Sequence, residues 1–189
     1  MTDEAAVPGA PTSEDIDYAA MALDPGQMAE LVGERGECVF TWTTREGDPV
    51  GVTVAYAYRD GTFWTNCAGR KKRVQALRTR PQSAVIIGKD GRTATFKGHS
   101  VIHSHGDPEW DELTRWFYPA LASVDPASDD PFARGLLRFL DAPHQVIIET
   151  PASPVVSFDF TKFNPITATL DLRIRAPHKI DQTIFSNSC

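Results

Sequence analysis

ECVFTWTTREGDPVGVTVAYAYRDGTFWTNC, residues 37–67, holds three β patterns separated by two turns. Residues 37–44 and 50–58 are rich in β-branched and aromatic side chains and flank the turn-prone REGDP, which predicts a hairpin. Asp60-Gly61 then turns the chain straight into a third strand, 62–67. The same grammar continues outward. Residues 82–88 (QSAVIIG) read as a buried strand, and Asp90-Gly91 turns into 92–103. Two further strands are expected at 144–150 and 154–160, and Ile166, Ala168, Leu170, Leu172 and Ile174 alternate in a last run.

Helical signals are few. Before residue 37, DPGQMAELVGERG carries Asp24 as a cap, Pro25 in the first turn, Gln27 three after the cap and Gly36 as a closing residue. Residues 107–118 and 130–140 both start on Asp-Pro. The first places Trp110, Leu113, Trp116 and Phe117 on one side, and the second Phe132, Leu136, Phe139 and Leu140. Six to eight short strands with tight turns predict a mainly β (α+β) chain, an antiparallel barrel with peripheral helices. The βαβ content is too low for a doubly wound sheet. Residues 1–14 are expected to be a disordered tail, 15–165 one domain, and 166–189 a C-terminal extension with an extra strand and a tail.

The 189 residues carry 41% hydrophobic content and a formal net charge of −6, which suits one soluble domain and argues against bulk binding to nucleic acid or anionic membrane. No apolar run approaches the roughly 20 residues of a membrane span, and no secretory leader is recognised. Cys38, Cys67 and Cys189 are odd in number and lack CxxC spacing. That pattern fits reduced thiols in a cytoplasmic protein and leaves no metal site expected.

Against this acidic background, residues 61–88 contain no Asp or Glu and hold Arg70, Lys71, Lys72, Arg73, Arg78 and Arg80. The stretch reads as a strand, an Ala68-Gly69 turn, and a helix over 70–79 that ends before Pro81. Cations at a helix start face the like-signed end of its dipole, so a cluster there calls for a compensating anion. A phosphate would satisfy the opening N–H groups and the side chains together. A solvated basic helix face is the plain alternative.

FWTNCAGRKKRVQALRTRP, residues 63–81, resembles the flavin-phosphate segment of the split β-barrel family that includes pyridoxamine 5′-phosphate oxidase and its flavin- and deazaflavin-dependent relatives. The Thr-Asn strand, the Arg-Lys turn, the Leu and the strand-opening Pro carry the likeness. TATFKGHSVI (93–102) and PVVSFDFTKF (154–163) support it, over about residues 24–163. The family's phosphate cation falls on Lys71 counting forward from Thr-Asn and on Arg73 counting back from Pro81. The resemblance implies an FMN-binding type of split barrel, with Thr65 and Asn66 on the ring or ribityl side and Arg70, Lys71, Lys72 and Arg73 at the phosphate. It implies FMN or the deazaflavin coenzyme F-420, held at a homodimer interface, and an oxidoreductase acting on a small organic substrate. The C-terminal RIRAP lacks the Trp of the oxidase proper, which argues against vitamin B6 as substrate.

Two other classes of function remain open from the residues. One is a non-catalytic flavin or haem storage protein on the same fold, for which His99, His103 and His105 are the available imidazoles. The other is a single-strand nucleic-acid binder using Phe63, Trp64 and the cations. Cys67 beside the turn reads as a small buried hydrophobe rather than a nucleophile. No Ser-His-Asp set, carboxylate pair or GxGxxG loop is present, as expected where a cofactor supplies the chemistry.

Overall fold

The computed structural model describes residues 17–163. The proposed tail at 1–14, the extension at 166–189 and Cys189 lie outside the described residues. Seven strands run β1 (Arg35–Thr43), β2 (Pro49–Arg59), β3 (Thr62–Ala68), β4 (Gln82–Lys89), β5 (Arg92–His99), β6 (Val101–Ser104) and β7 (Gln145–Asp159). Four α-helices are interspersed: α1 (Pro25–Val32), α2 (Lys72–Leu77), α3 (Trp110–Ala122) and α4 (Pro131–Leu140).

All strand pairs are antiparallel, in the order β3-β2-β1-β4-β5-β7-β6, and an additional β3–β7 pairing closes the first six into a ring. Alternation decides what fills the ring. On β3, Phe63, Thr65 and Cys67 are buried, whereas Thr62, Trp64, Asn66 and Ala68 lie on the other face. Inside are Cys38, Phe40, Tyr56, Phe63, Val85, Ile87, Phe96 and Ile148, with Val74 and Leu77 of α2 packed among them. The ring opens beside the second hairpin. β2 and β3 pair only over Ala57–Arg59 and Thr62–Trp64, and beyond that β3 turns its ladder to β7.

Four expectations are corrected by the fold. The single strand expected at 92–103 is two, β5 and β6, interrupted at Ser100, whose N–H leaves the ladder for the Pro81 carbonyl at 2.7 Å. The two strands expected at 144–150 and 154–160 are one, β7. A register shift opposite Thr95/Phe96 gives β7 an extra residue, Val155, so Pro154 sits beside a bulge. α1 keeps the Asp24/Gln27 capping box but ends at Gly33, which takes φ 57°; Gly36 belongs to β1. α2 is shorter than the 70–79 expected, because Arg70 and Lys71 belong to the turn before it.

A second apolar cluster lies outside the ring. α3 buries Trp110, Leu113, Phe117 and Tyr118, which pack with Leu140 of α4 and with Ala57 and Ile147 of the barrel wall. This stripe is therefore used up within the chain. On α4 the buried residues are Ala133 and Leu140, while Phe132 and Phe139, placed by sequence on the same side as Leu140, are exposed.

Candidate cofactor site at the β3–α2 turn

The acid-free segment folds as a strand, a tight turn and one and a half turns of helix. Gly69 donates its N–H to the His144 carbonyl at 2.8 Å, and Lys71 donates to the Ala68 carbonyl at 3.0 Å. A Cβ on Gly69 would sit 3.2 Å from Val146 Cγ1, so the turn lies hard against the start of β7. Lys71 is the N-cap of α2 with no side-chain cap, and the first turn carries no acid. The amides of Lys72 and Arg73 open the helix and have no carbonyl one turn back.

The six residues singled out by sequence divide into two groups. Arg70, Lys71 and Lys72 are exposed at the turn. Arg73 is half-buried and bends back toward β3, where its Nη2 donates to the Asn66 carbonyl at 3.5 Å. Its Nε is buried without a hydrogen-bond partner among the described residues. Asn66 is on the outer face of β3, but the Thr65 side chain points into the barrel and is buried. Only the Thr65 backbone can therefore meet a ligand outside the ring. Cys67 lies beside Arg73. Burial pushes its thiol up, and the neighbouring Arg73 and Lys71 charges oppose that only in part. It is a protonated thiol at neutral pH, in line with the sequence reading.

Tertiary pairing adds residues that the basic segment did not reveal. A cleft of about 750 Å³ runs along the outward face of α2 between Lys72, Gln75 and Arg80 on one side and Trp42, Arg45 and Glu46 on the other. Arg80 is fixed there, its Nε donating to the Thr43 carbonyl at 3.4 Å. Arg45 comes from the β1–β2 turn, and no local sequence signal ties it to residues 70–80. Trp42 also walls a second cleft of about 370 Å³ that holds Gln82, Lys97 and His99.

The histidines go to different tasks. His103 is buried, with Nδ1 at 3.1 Å from Glu109 Oε1 and Nε2 at 2.8 Å from Glu149 Oε2. Both ring nitrogens are thus engaged by carboxylates, which leaves neither for a haem iron. Its ring stacks on Trp64 at 6.1 Å, and Trp64 meets Trp116 edge-on at 5.3 Å. His105 is exposed beside Asp141 at 3.7 Å, and His99 lines the smaller cleft.

Solved structures share this architecture. The conserved hypothetical protein Rv2991 from Mycobacterium tuberculosis superposes with a TM-score of 0.59 at 16% identity, over 77% of this chain and 90% of that one. The fold is the antiparallel split β-barrel. A candidate 5-nitroimidazole antibiotic resistance protein from Bacteroides thetaiotaomicron gives 0.54 at 11% identity, over 72% and 83% of the two chains. HutZ, the haem storage protein of Vibrio cholerae, gives 0.53 at 10% identity, over 71% and 93%. No family model and no curated protein matches the sequence. The split barrel thus places the β3–α2 turn, with its cations, at the rim where β2 and β3 part. No helix of the described residues is long and apolar enough to cross a membrane.

Proposed function

We propose that this split barrel is a cytoplasmic oxidoreductase that binds a flavin or deazaflavin, FMN or coenzyme F-420, and passes hydride or electrons to a small organic substrate. The observation that carries the reading is the exposed trio Arg70, Lys71 and Lys72 on the turn that opens α2, with no acid in its first turn. These donors fit a phosphate-level anion, and the orphaned Arg73 Nε offers one more hydrogen bond close by. Asn66 stands on the same side of β3 as the outward Trp64, where the ring and ribityl chain would lie. When bound, the cofactor supplies the hydride chemistry; the chain's own residues bind and orient it. The buried free thiols Cys38 and Cys67 suit a reducing compartment.

A homodimer completes the proposal. Thr53, Val39, Ile86, Thr95 and Val156 are register partners in one row across β2, β1, β4, β5 and β7. Val39 is 39% and Val156 59% exposed, so this β-branched row is a flat face free for a second barrel. The α3 aromatic stripe, packed within the chain, takes no part in this face. Gly51 belongs to the same surface, where a Cβ would come within 3.0 Å of Val39 Cγ1.

Titration of the full chain with FMN and with F-420, followed by visible absorption, tests the site. Replacing Lys71 and Lys72 by Ala should weaken binding about tenfold or more, since each charged hydrogen bond contributes about 1.5–3 kcal/mol. Binding of both cofactors by the double variant as tightly as by the wild type refutes the assignment. Reduction of the bound cofactor by a nicotinamide donor and substrate-dependent reoxidation separates an enzyme from a storage protein.

A further inference from the structure

The cleft between α2 and the β1–β2 turn gathers three cations of an otherwise acidic chain. Lys72 stands on its α2 side, Arg80 just beyond the helix, and Arg45 on the turn. None of the three forms an ion pair among the described residues, although Glu46 lines the same cleft. The walls are held in place. Arg80 donates from Nε to the Thr43 carbonyl at 3.4 Å and from Nη1 to the Thr79 hydroxyl at 3.2 Å, which leaves its Nη2 for a ligand. Trp42 is half-buried, and its ring stacks on Phe40 with centroids 6.4 Å apart. Thr44 ties the turn, its carbonyl accepting from Gly47 N–H at 3.2 Å and its hydroxyl from Asp48 N–H at 3.1 Å.

We propose that this cleft binds a purine nucleotide, with the phosphates among Lys72, Arg80 and Arg45 and the base against Trp42. Three cations beside one carboxylate suit a ligand of two or more negative charges. A bare inorganic anion would leave the indole wall without a partner, whereas a nucleobase offers it a flat π-face. Glu46 repels phosphate, which puts it at the base or ribose end, where an exocyclic amino group or a ribose hydroxyl can donate to its carboxylate. Gln75, exposed on the outward side of α2, adds an amide that both donates and accepts. The volume of about 750 Å³ lies within the range of small-ligand sites, roughly 300–1,000 Å³.

The site stands independently of the cofactor reading. Lys72 is at the boundary with the β3–α2 turn, but Arg45 and Arg80 lie outside that turn. The same chemistry can arrive as a free nucleotide or as the adenylate half of a dinucleotide.

Isothermal titration of the full chain with ADP, inorganic pyrophosphate and NADH tests the site. ADP should bind about tenfold more tightly than pyrophosphate, because only ADP brings a ring to Trp42. Arg45→Glu should weaken ADP binding about tenfold or more. Lys89→Glu, the same charge change at the exposed far end of β4, should not. ADP should also bind the FMN-saturated chain. NADH binding tighter than ADP supports the site with a dinucleotide as its source, and NADH binding no tighter supports it with a free nucleotide. Absence of ADP binding, pyrophosphate as tight as ADP, equal effects of the two charge reversals, or one-for-one displacement of ADP by FMN overturns the proposal.

Discussion

β5–β6 and β7 lie side by side and break the rules of strand reading in opposite directions. Residues 92–104 contain no proline and alternate cleanly, yet the strand is interrupted at Ser100. Residues 145–159 contain Pro151 and Pro154, yet form one continuous strand. The cause is a shared corner. Ser100 Oγ lies 2.7 Å from Ser83 Oγ and 2.8 Å from Thr150 Oγ1, a buried hydroxyl chain linking β4, the break and β7. Two residues earlier, Gly98 is packed so closely that a Cβ would collide with the Pro151 carbonyl oxygen and stand 3.1 Å from Ala152 Cβ. The barrel turns where β5 lacks a side chain, and β7 takes Pro154 beside the bulge at Val155 and Pro151 at the end of its ladder with β3. A proline therefore ends a strand only when the lost N–H is needed by a neighbour.

The largest expected effect comes from filling the corner. Gly98→Ala has no flexible side chain to displace, only backbone, and overpacking of that kind costs about 3 kcal/mol or more. Its melting temperature should fall by roughly 6–12 °C for a domain of this size. A change below about 2 °C would show that β5 and β7 do not need the close approach.

Ser100→Ala comes next. It leaves the Ser83 and Thr150 hydroxyls buried and short of a partner, at about 1–3 kcal/mol. Urea unfolding should show the loss in the midpoint with an unchanged slope. Pro154→Ala, by contrast, acts on a bulge that already tolerates the missing N–H, and is expected to shift stability by less than about 1 kcal/mol. If Pro154→Ala cost as much as Gly98→Ala, the contrast between the two strands would collapse.

At the far end of β7 the expected effect depends on pH. Asp159 accepts from Thr161 N–H at 2.9 Å and from Thr161 Oγ1 at 2.6 Å, and these bonds hold its carboxyl below the usual carboxylate range. Its other oxygen accepts from Gln27 Nε2 at 3.2 Å, which ties α1 to the strand end. A lowered folded pKa contributes stability above the unfolded value of about 4 and loses it as pH falls through the folded value. The wild type should therefore exceed Asp159→Asn at pH 7, and the gap should close on acidification. A gap independent of pH would assign the loss to packing instead of charge. The smallest effect is expected at Cys38, whose thiol burial pushes up to about 12. It should resist a thiol reagent at pH 8 until the barrel is unfolded.

Much of the barrel was legible because its signals are local. The Asp60-Gly61 and Asp90-Gly91 turns both appear, with Asp at φ 52° and Gly at φ 78° in each, and the Asp24/Gln27 box caps α1 as expected. The basic turn after β3 was legible for the same reason, as a charge anomaly within one segment. Less legible was which cation faces outward. Arg73 turns back to Asn66 because β3 leaves β2 there and exposes a carbonyl, and no sequence window contains that event. The exposure of Phe132 and Phe139 was not legible for a related reason. α4 has apolar residues on two adjacent faces, and only its contact with α3 selects Ala133 and Leu140 as the inner one.

The sequence by itself determined the antiparallel architecture, the turn positions and the site of concentrated positive charge, since turn chemistry and alternation act over a few residues. Tertiary structure alone decided how Arg45 joins Lys72 and Arg80, why Gly98 must lack a side chain, and which helix faces stay exposed. Those outcomes depend on pairings between residues tens of positions apart, where register and close packing, not local preference, set what each side chain meets.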